Sequence, residues 1–290
     1  MSTSFDARIV DLGEFVSRKE VGDVRGERAA LRDELCLALG QLSEVPKPLR
    51  LRMIRVAESD EIIARHAIYR ASDHDEAGKA LSSKLEADRL WLASGLARAD
   101  LAEKFRPDLD YILDDLMISI WLNSPAHIEF FGGLVTRPEI MRDEDMGAAT
   151  RSHAAFCLRV LAARRSNVVV PKQYDSELKR DIYAPISFPS IPERVLVSKV
   201  NAVVEHRIER AHRSNIGRGN AGGHYYGTVA ACAMPYELLG FLTVVEHGGR
   251  LQKDEELHPW LAWFRQIAYV KPLDLQTLSS LVDRVIGQAF

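Results

Sequence analysis

The chain has 290 residues, enough for one large domain or two smaller ones, and 47% apolar with 27% charged residues is the balance of an ordinary globular protein. Disorder is excluded on that balance. A net charge of −3 excludes a protein that coats nucleic acid or membrane by bulk positive charge.

Residues 1–26 carry charges throughout and hold no continuous apolar stretch, so they do not read as a signal peptide. They are set apart as an N-terminal segment. Helices are predicted from Glu27 to Leu42, from Pro48 to Val56, and from Asp60 to Tyr69. A longer one runs from Glu76 to Phe105 with Leu81, Leu85, Leu92 and Leu96 in a stripe, and Pro107 ends it. Asp88 falls inside that stripe, where a carboxylate needs a cationic partner, and an arginine is expected.

Leu109, Ile112, Leu113, Leu116 and Ile120 recur at three- and four-residue spacing and predict a helix starting near Asp108. Asp108 and Asp110 sit in its first turn, where the helix dipole favours negative charge. Tyr111, Ile118 and Trp121 make its other side apolar, so it is expected at the centre of the fold. Asp145 to Arg165 is the next helix, with His153, Cys157 and Val160 on one face. His153 is read there as a hydrogen-bonded core histidine.

Ser166 to Pro192 holds Pro171, Pro185, Pro189 and Pro192, and prolines at that density argue for a connection. The expected organisation is thus a helical layer over 27–165, a proline-rich connection over 166–191 and a second layer over 192–290, together one continuous globular unit. The second layer has helices opened by Pro192, Pro235 and Pro259, with Gly248 and Gly249 as a C-cap and Asp274 as the last N-cap. The fold class is all-α: a multi-helix bundle or an irregular solenoid-like array with a proline-rich connection in the middle.

Cys36, Cys157 and Cys232 lie far apart and form no CxxC pair, which suits buried thiols in a reducing compartment. No stretch reaches the roughly 18 apolar residues of a membrane span. The cytoplasm is the expected location, and no cofactor is implied.

Three patterns bear on chemistry. Glu205, Glu209 and His212 share a helix face, and Glu-x-x-His is the spacing of carboxylate-bridged metal helices. Such a site needs a second Glu-x-x-His helix, which the sequence lacks, so a solvated charged face is the plainer reading. Arg207 and His212 form an Arg-x4-His pattern that resembles the active-site motif of HEPN ribonucleases. There a cation stabilises a charged phosphorane and an imidazole moves the proton. Ile208 follows Arg207 where that family usually carries a polar residue. The glycine-rich stretch from Asn215 to His224, with Arg218, follows a helix and lacks the lysine of a phosphate loop. It is read as an inter-helix loop and a candidate contact with a partner.

The runs Met234-Pro235-Tyr236-Glu237-Leu238-Leu239-Gly240, Glu246-His247-Gly248-Gly249 and Glu255-Glu256-Leu257-His258-Pro259-Trp260-Leu261 resemble the end of the immunity protein 49 family. His258 interrupts the Leu-Pro step of that pattern. The resemblance implies a bacterial protein that neutralises a toxin by binding and covering it, with no catalytic residues to carry over. Acidic runs then become candidates to face a basic toxin: Asp143, Glu144 and Asp145, and Asp254, Glu255 and Glu256. Read so, the protein is not an enzyme, and its partner is a toxin or another protein. A ribonuclease using Arg207 and His212 is the alternative, and a non-catalytic helical scaffold the third.

Overall fold

A computed structural model describes residues 21–97, 105, 107–138, 140–141, 146–165, 167–187, 193–216, 234–248 and 257–287. Among them the fold is all-α, with eleven α-helices and no strand. They fall into two compact units, one drawn from Leu109–Gln266 and the other from Ser17–Asp108 together with Ile267–Phe290.

The unit containing the earlier part of the chain is built from α1 (Val21–Leu39), α2 (Lys47–His66), α3 (His74–Leu96) and α11 (Gln276–Gly287). Leu35, Leu39, Met53, Val56, Leu90, Leu278 and Val282 form its buried core, so the chain's last helix completes the core begun by the first three. α2 runs unbroken through the expected gap between Val56 and Asp60. Ser59 Oγ donates back to the Arg55 carbonyl at 2.8 Å, which keeps a turn-favouring residue within the helix. α2 then widens into a π-helical turn, Ala67–Ala71, and stops at Ser72, whose φ is 53°. Asp73 caps α3 by accepting from the Glu76 N–H at 2.9 Å. α3 ends at Leu96, a little more than two turns short of the expected Phe105.

α3 also passes very close to the segment before α11. A Cβ on Gly78 would lie 2.3 Å from the Ala268 carbonyl oxygen, so only glycine permits that approach.

The other unit contains α4 (Leu109–Trp121), α5 (Pro125–Leu134), α6 (Ala148–Ala162), α7 (Lys172–Leu178), α8 (Glu193–Ile216), α9 (Tyr236–His247) and α10 (Pro259–Phe264). α4 packs on α5, α6 and α9, the central place its apolar faces require. Leu113, Leu116 and Ile120 are wholly buried, as is Ile118 on the other side. Trp121 and Trp260 each meet Phe264 edge-on, which ties α10 to α4.

The two units do not meet in the chain at the proline-rich stretch 166–191. They change over after Asp108 and after Gln266. The proline-rich stretch belongs to one unit and contains α7, with Pro171 immediately before its first turn. Tyr174, Leu178, Tyr183 and Ile186 from this stretch are buried. The prolines start and stop short turns here without releasing the chain from the core.

Candidate functional site

Arg207 lies on α8 and Glu237 on the first turn of α9. Neither side chain is exposed, and the two form an ion pair. Arg207 Nη2 donates to the Met234 carbonyl at 2.9 Å and Nη1 to Tyr183 Oη at 3.2 Å. Tyr183 in turn donates to Glu237 Oε1 at 2.5 Å. The guanidinium is thus held by a carboxylate, a carbonyl and a phenol. This arrangement joins α8, α9 and the turn after α7. A buried charge is tolerable only with such partners.

That geometry bears on the Arg207–His212 pattern. A phosphate-binding arginine must reach its phosphate, whereas Arg207 is covered and occupied. α8 extends to Ile216, so Arg207, Glu209 and His212 share one helix, but the side chain of His212 lies outside the described residues. Glu205, from the same charged face, accepts from His258 Nε2 at 3.0 Å. His258 uses Nδ1 to accept from the Trp260 N–H at 3.2 Å, capping α10. Among the described residues no three His, Cys, Asp or Glu side chains converge as a metal site. Asp143, Glu144, Asp145, Arg218, Asp254, Glu255 and Glu256 lie outside the described residues.

A second arrangement joins α6 to α4. Cys157 Sγ lies 3.3 Å from His153 Nε2, and His153 Nδ1 lies 3.4 Å from Asp110 Oδ1. Asp110 also accepts from Thr150 Oγ1 at 3.2 Å. The order thiol, imidazole, carboxylate is that of a nucleophile, its base and the group that orients the base. The environment opposes that use. Cys157 is fully buried, and its thiol is pushed well above its ordinary pKa, first by burial and then by Asp114 and Asp110. A protonated thiol donates to Nε2, and Nδ1 then donates to Asp110. His153 is accordingly a hydrogen-bonded core histidine. The sequence reading missed the part played by Asp110, because an acidic residue in a first helical turn already has a local reason to be there.

In the first-described unit, Asp88 is buried and accepts from Lys84 Nζ at 2.8 Å. One cation facing it is thus Lys84, one turn earlier on the same helix. Asp60 is buried as well. It pairs with Arg28 and accepts from Ser83 Oγ at 2.7 Å. Burial pushes its carboxyl up to about 6, and the Arg28 charge opposes the shift.

An apolar cleft of about 440 Å³ lies between α6, α9 and the turn after α7. Phe156, Val160, Ile186, Phe241 and Val244 line it. Phe241 and Val244 are partly buried on α9, and Phe156 stacks on Tyr183 behind it at 4.6 Å. Arg159 borders the cleft and is fixed by Asp175 at 2.9 Å and the Ser187 carbonyl at 3.0 Å. The cleft floor is thus backed by the Tyr183 that also holds Arg207 and Glu237.

No protein-family model, curated protein or solved structure matches the chain. Among the described residues no helix is long and apolar enough to cross a membrane.

Proposed function

We propose that this protein acts by binding another protein, as an immunity protein that neutralises a bacterial toxin in the cytoplasm by covering its active surface. The observation that carries this reading is the apolar cleft. A concave wall with partly exposed Phe241 and Val244, bordered by a fixed arginine, suits an apolar side chain of a partner. Rigid backing favours binding because little side-chain freedom is lost on association.

The toxin-directed part of the proposal draws support from where the cleft lies. α9 supplies Phe241, Val244 and Val245, and the residues resembling immunity protein 49 bracket that stretch, Met234–Gly240 before it and Glu246–Gly249 after it. The candidate catalytic groups favour binding over catalysis too. Arg207 is committed to Glu237, and Cys157 is a buried, protonated thiol.

Co-expression tests the proposal. The protein encoded immediately upstream should arrest growth of a bacterial host when made alone, and this chain should restore growth. An upstream protein that arrests nothing, or arrest that this chain does not relieve, contradicts it.

A further inference from the structure

The other unit carries a separate cavity of about 460 Å³, between α1, α2, α3 and the segment leading into α11. That volume lies within the range of small-molecule sites. Its charges are unequal in an informative way. Four cations line it, Arg25, Arg28, Lys79 and Lys271, against three carboxylates, Asp60, Glu76 and Asp274.

Every one of those carboxylates already has an arginine. Arg25 pairs with Glu76. Arg28 pairs with Asp60 and, at 2.7 Å, with Asp274. Ser83 closes a ring at the base, accepting from Arg28 Nη2 at 2.5 Å and donating to Asp60 at 2.7 Å. Among the described residues Lys79 and Lys271 have no counter-ion, and both are exposed at the mouth. Beside them Val270, Pro272 and Leu273 form an apolar wall, and Leu273 is 68% exposed.

We infer that this cavity is a binding site for a phosphorylated small molecule of nucleotide size. Its phosphate sits between Lys79 and Lys271, and its flat apolar body lies on Val270, Pro272 and Leu273. Two ammonium groups match the charge of roughly −1.5 to −2 on a phosphate monoester at neutral pH. A single carboxylate would leave one of them uncompensated. The buried Arg28–Asp60–Ser83 ring holds the three helices in place beneath the site, so the lysines project from a fixed frame. The inference is independent of the proposed toxin binding, since it concerns other residues in the other unit.

Calorimetric titration of the full chain with each of the four common ribonucleoside monophosphates tests this site. Inorganic phosphate and the uncharged nucleosides serve as comparison probes. At least one monophosphate should bind with Kd of about 1 mM or tighter. Binding should weaken by about tenfold or more in Lys79→Ala/Lys271→Ala, and also as salt is raised. Leu273→Asp should weaken the monophosphate without creating affinity for inorganic phosphate. Because both lysines are exposed, the double variant should melt where the parent does, which separates lost binding from lost folding. Any of four results overturns the inference: no monophosphate binds, the double variant binds equally well, a nucleoside binds as tightly as its monophosphate, or inorganic phosphate alone does.

Discussion

Arg207 and Glu237, thirty positions apart, form an ion pair from which solvent is wholly excluded. Removing one member leaves the other as a buried charge, which costs about 3–5 kcal/mol, whereas removing both leaves apolar volume at a far smaller cost. Arg207→Met should therefore destabilise the protein strongly, and Arg207→Met/Glu237→Met should recover most of the loss. Urea unfolding of the single and double variants measures it. A single variant within about 1 kcal/mol of the parent would mean that the pair is hydrated in solution.

Cys157 tests the reading of the thiol–imidazole–carboxylate arrangement as structural. A buried, protonated thiol reacts slowly with alkylating reagents. With iodoacetamide at neutral pH, mass spectrometry should find Cys157 unmodified in the folded protein and modified after unfolding in urea. Labelling of the folded protein at the unfolded rate would instead mark an accessible thiolate with His153 as its base.

Asp60 makes part of the stability pH-dependent. Its carboxyl is pushed up to about 6 in the folded protein from an ordinary 3.8, so the folded state holds that proton more tightly than the unfolded chain. Its contribution is most favourable below about pH 4, falls as pH rises from about 4 to about 6, and is constant above that. The full swing is on the order of 2–3 kcal/mol. Relative to Asp60→Asn, the parent should lose stability across that window when unfolding is followed at a series of pH values. An unchanged difference between the two proteins would place the carboxyl's pKa near its ordinary value.

Gly78 sets how closely α3 approaches the segment before α11. Because the obstructing atom is the Ala268 backbone carbonyl, a methyl group cannot be relieved by a side-chain rotation. Gly78→Ala should destabilise by about 1–3 kcal/mol despite alanine's better helix propensity. Thermal unfolding checks it, and a variant as stable as the parent would show that the two segments separate easily.

How much of this was legible beforehand follows from the range of each interaction. The apolar spacing of Leu109, Ile112, Leu113, Leu116 and Ile120 reports burial within one helix, and α4 lies where that pattern puts it. Pro235 and Pro259 mark helix starts because proline lacks the N–H that a first turn leaves unbonded anyway. α5 escaped notice because Gly132 and Gly133 dilute its pattern, and α7 because it is a short helix among prolines. The division into units was hidden for a different reason. Prolines mark local breaks, while the return of Leu275, Leu278 and Val282 to a core begun by Leu35 and Met53 is a long-range pairing. His153 and Cys157 were already on one face by spacing, but Asp110 reaches them from another helix. Both clefts draw on segments far apart in the chain, so neither has a contiguous motif.

On the proposed binding function, a partner protein seats an apolar group in the cleft on α9. Phe241 lines the cleft and is partly exposed there, so Phe241→Lys places a charge where the partner's apolar group must sit while its ammonium can reach solvent. The decisive measurement is calorimetric affinity for the growth-arresting protein encoded upstream, parent against Phe241→Lys, at matched melting temperature. Kd should rise by about a hundredfold or more, the loss of one central apolar anchor. An unchanged Kd in a variant that melts with the parent would contradict it.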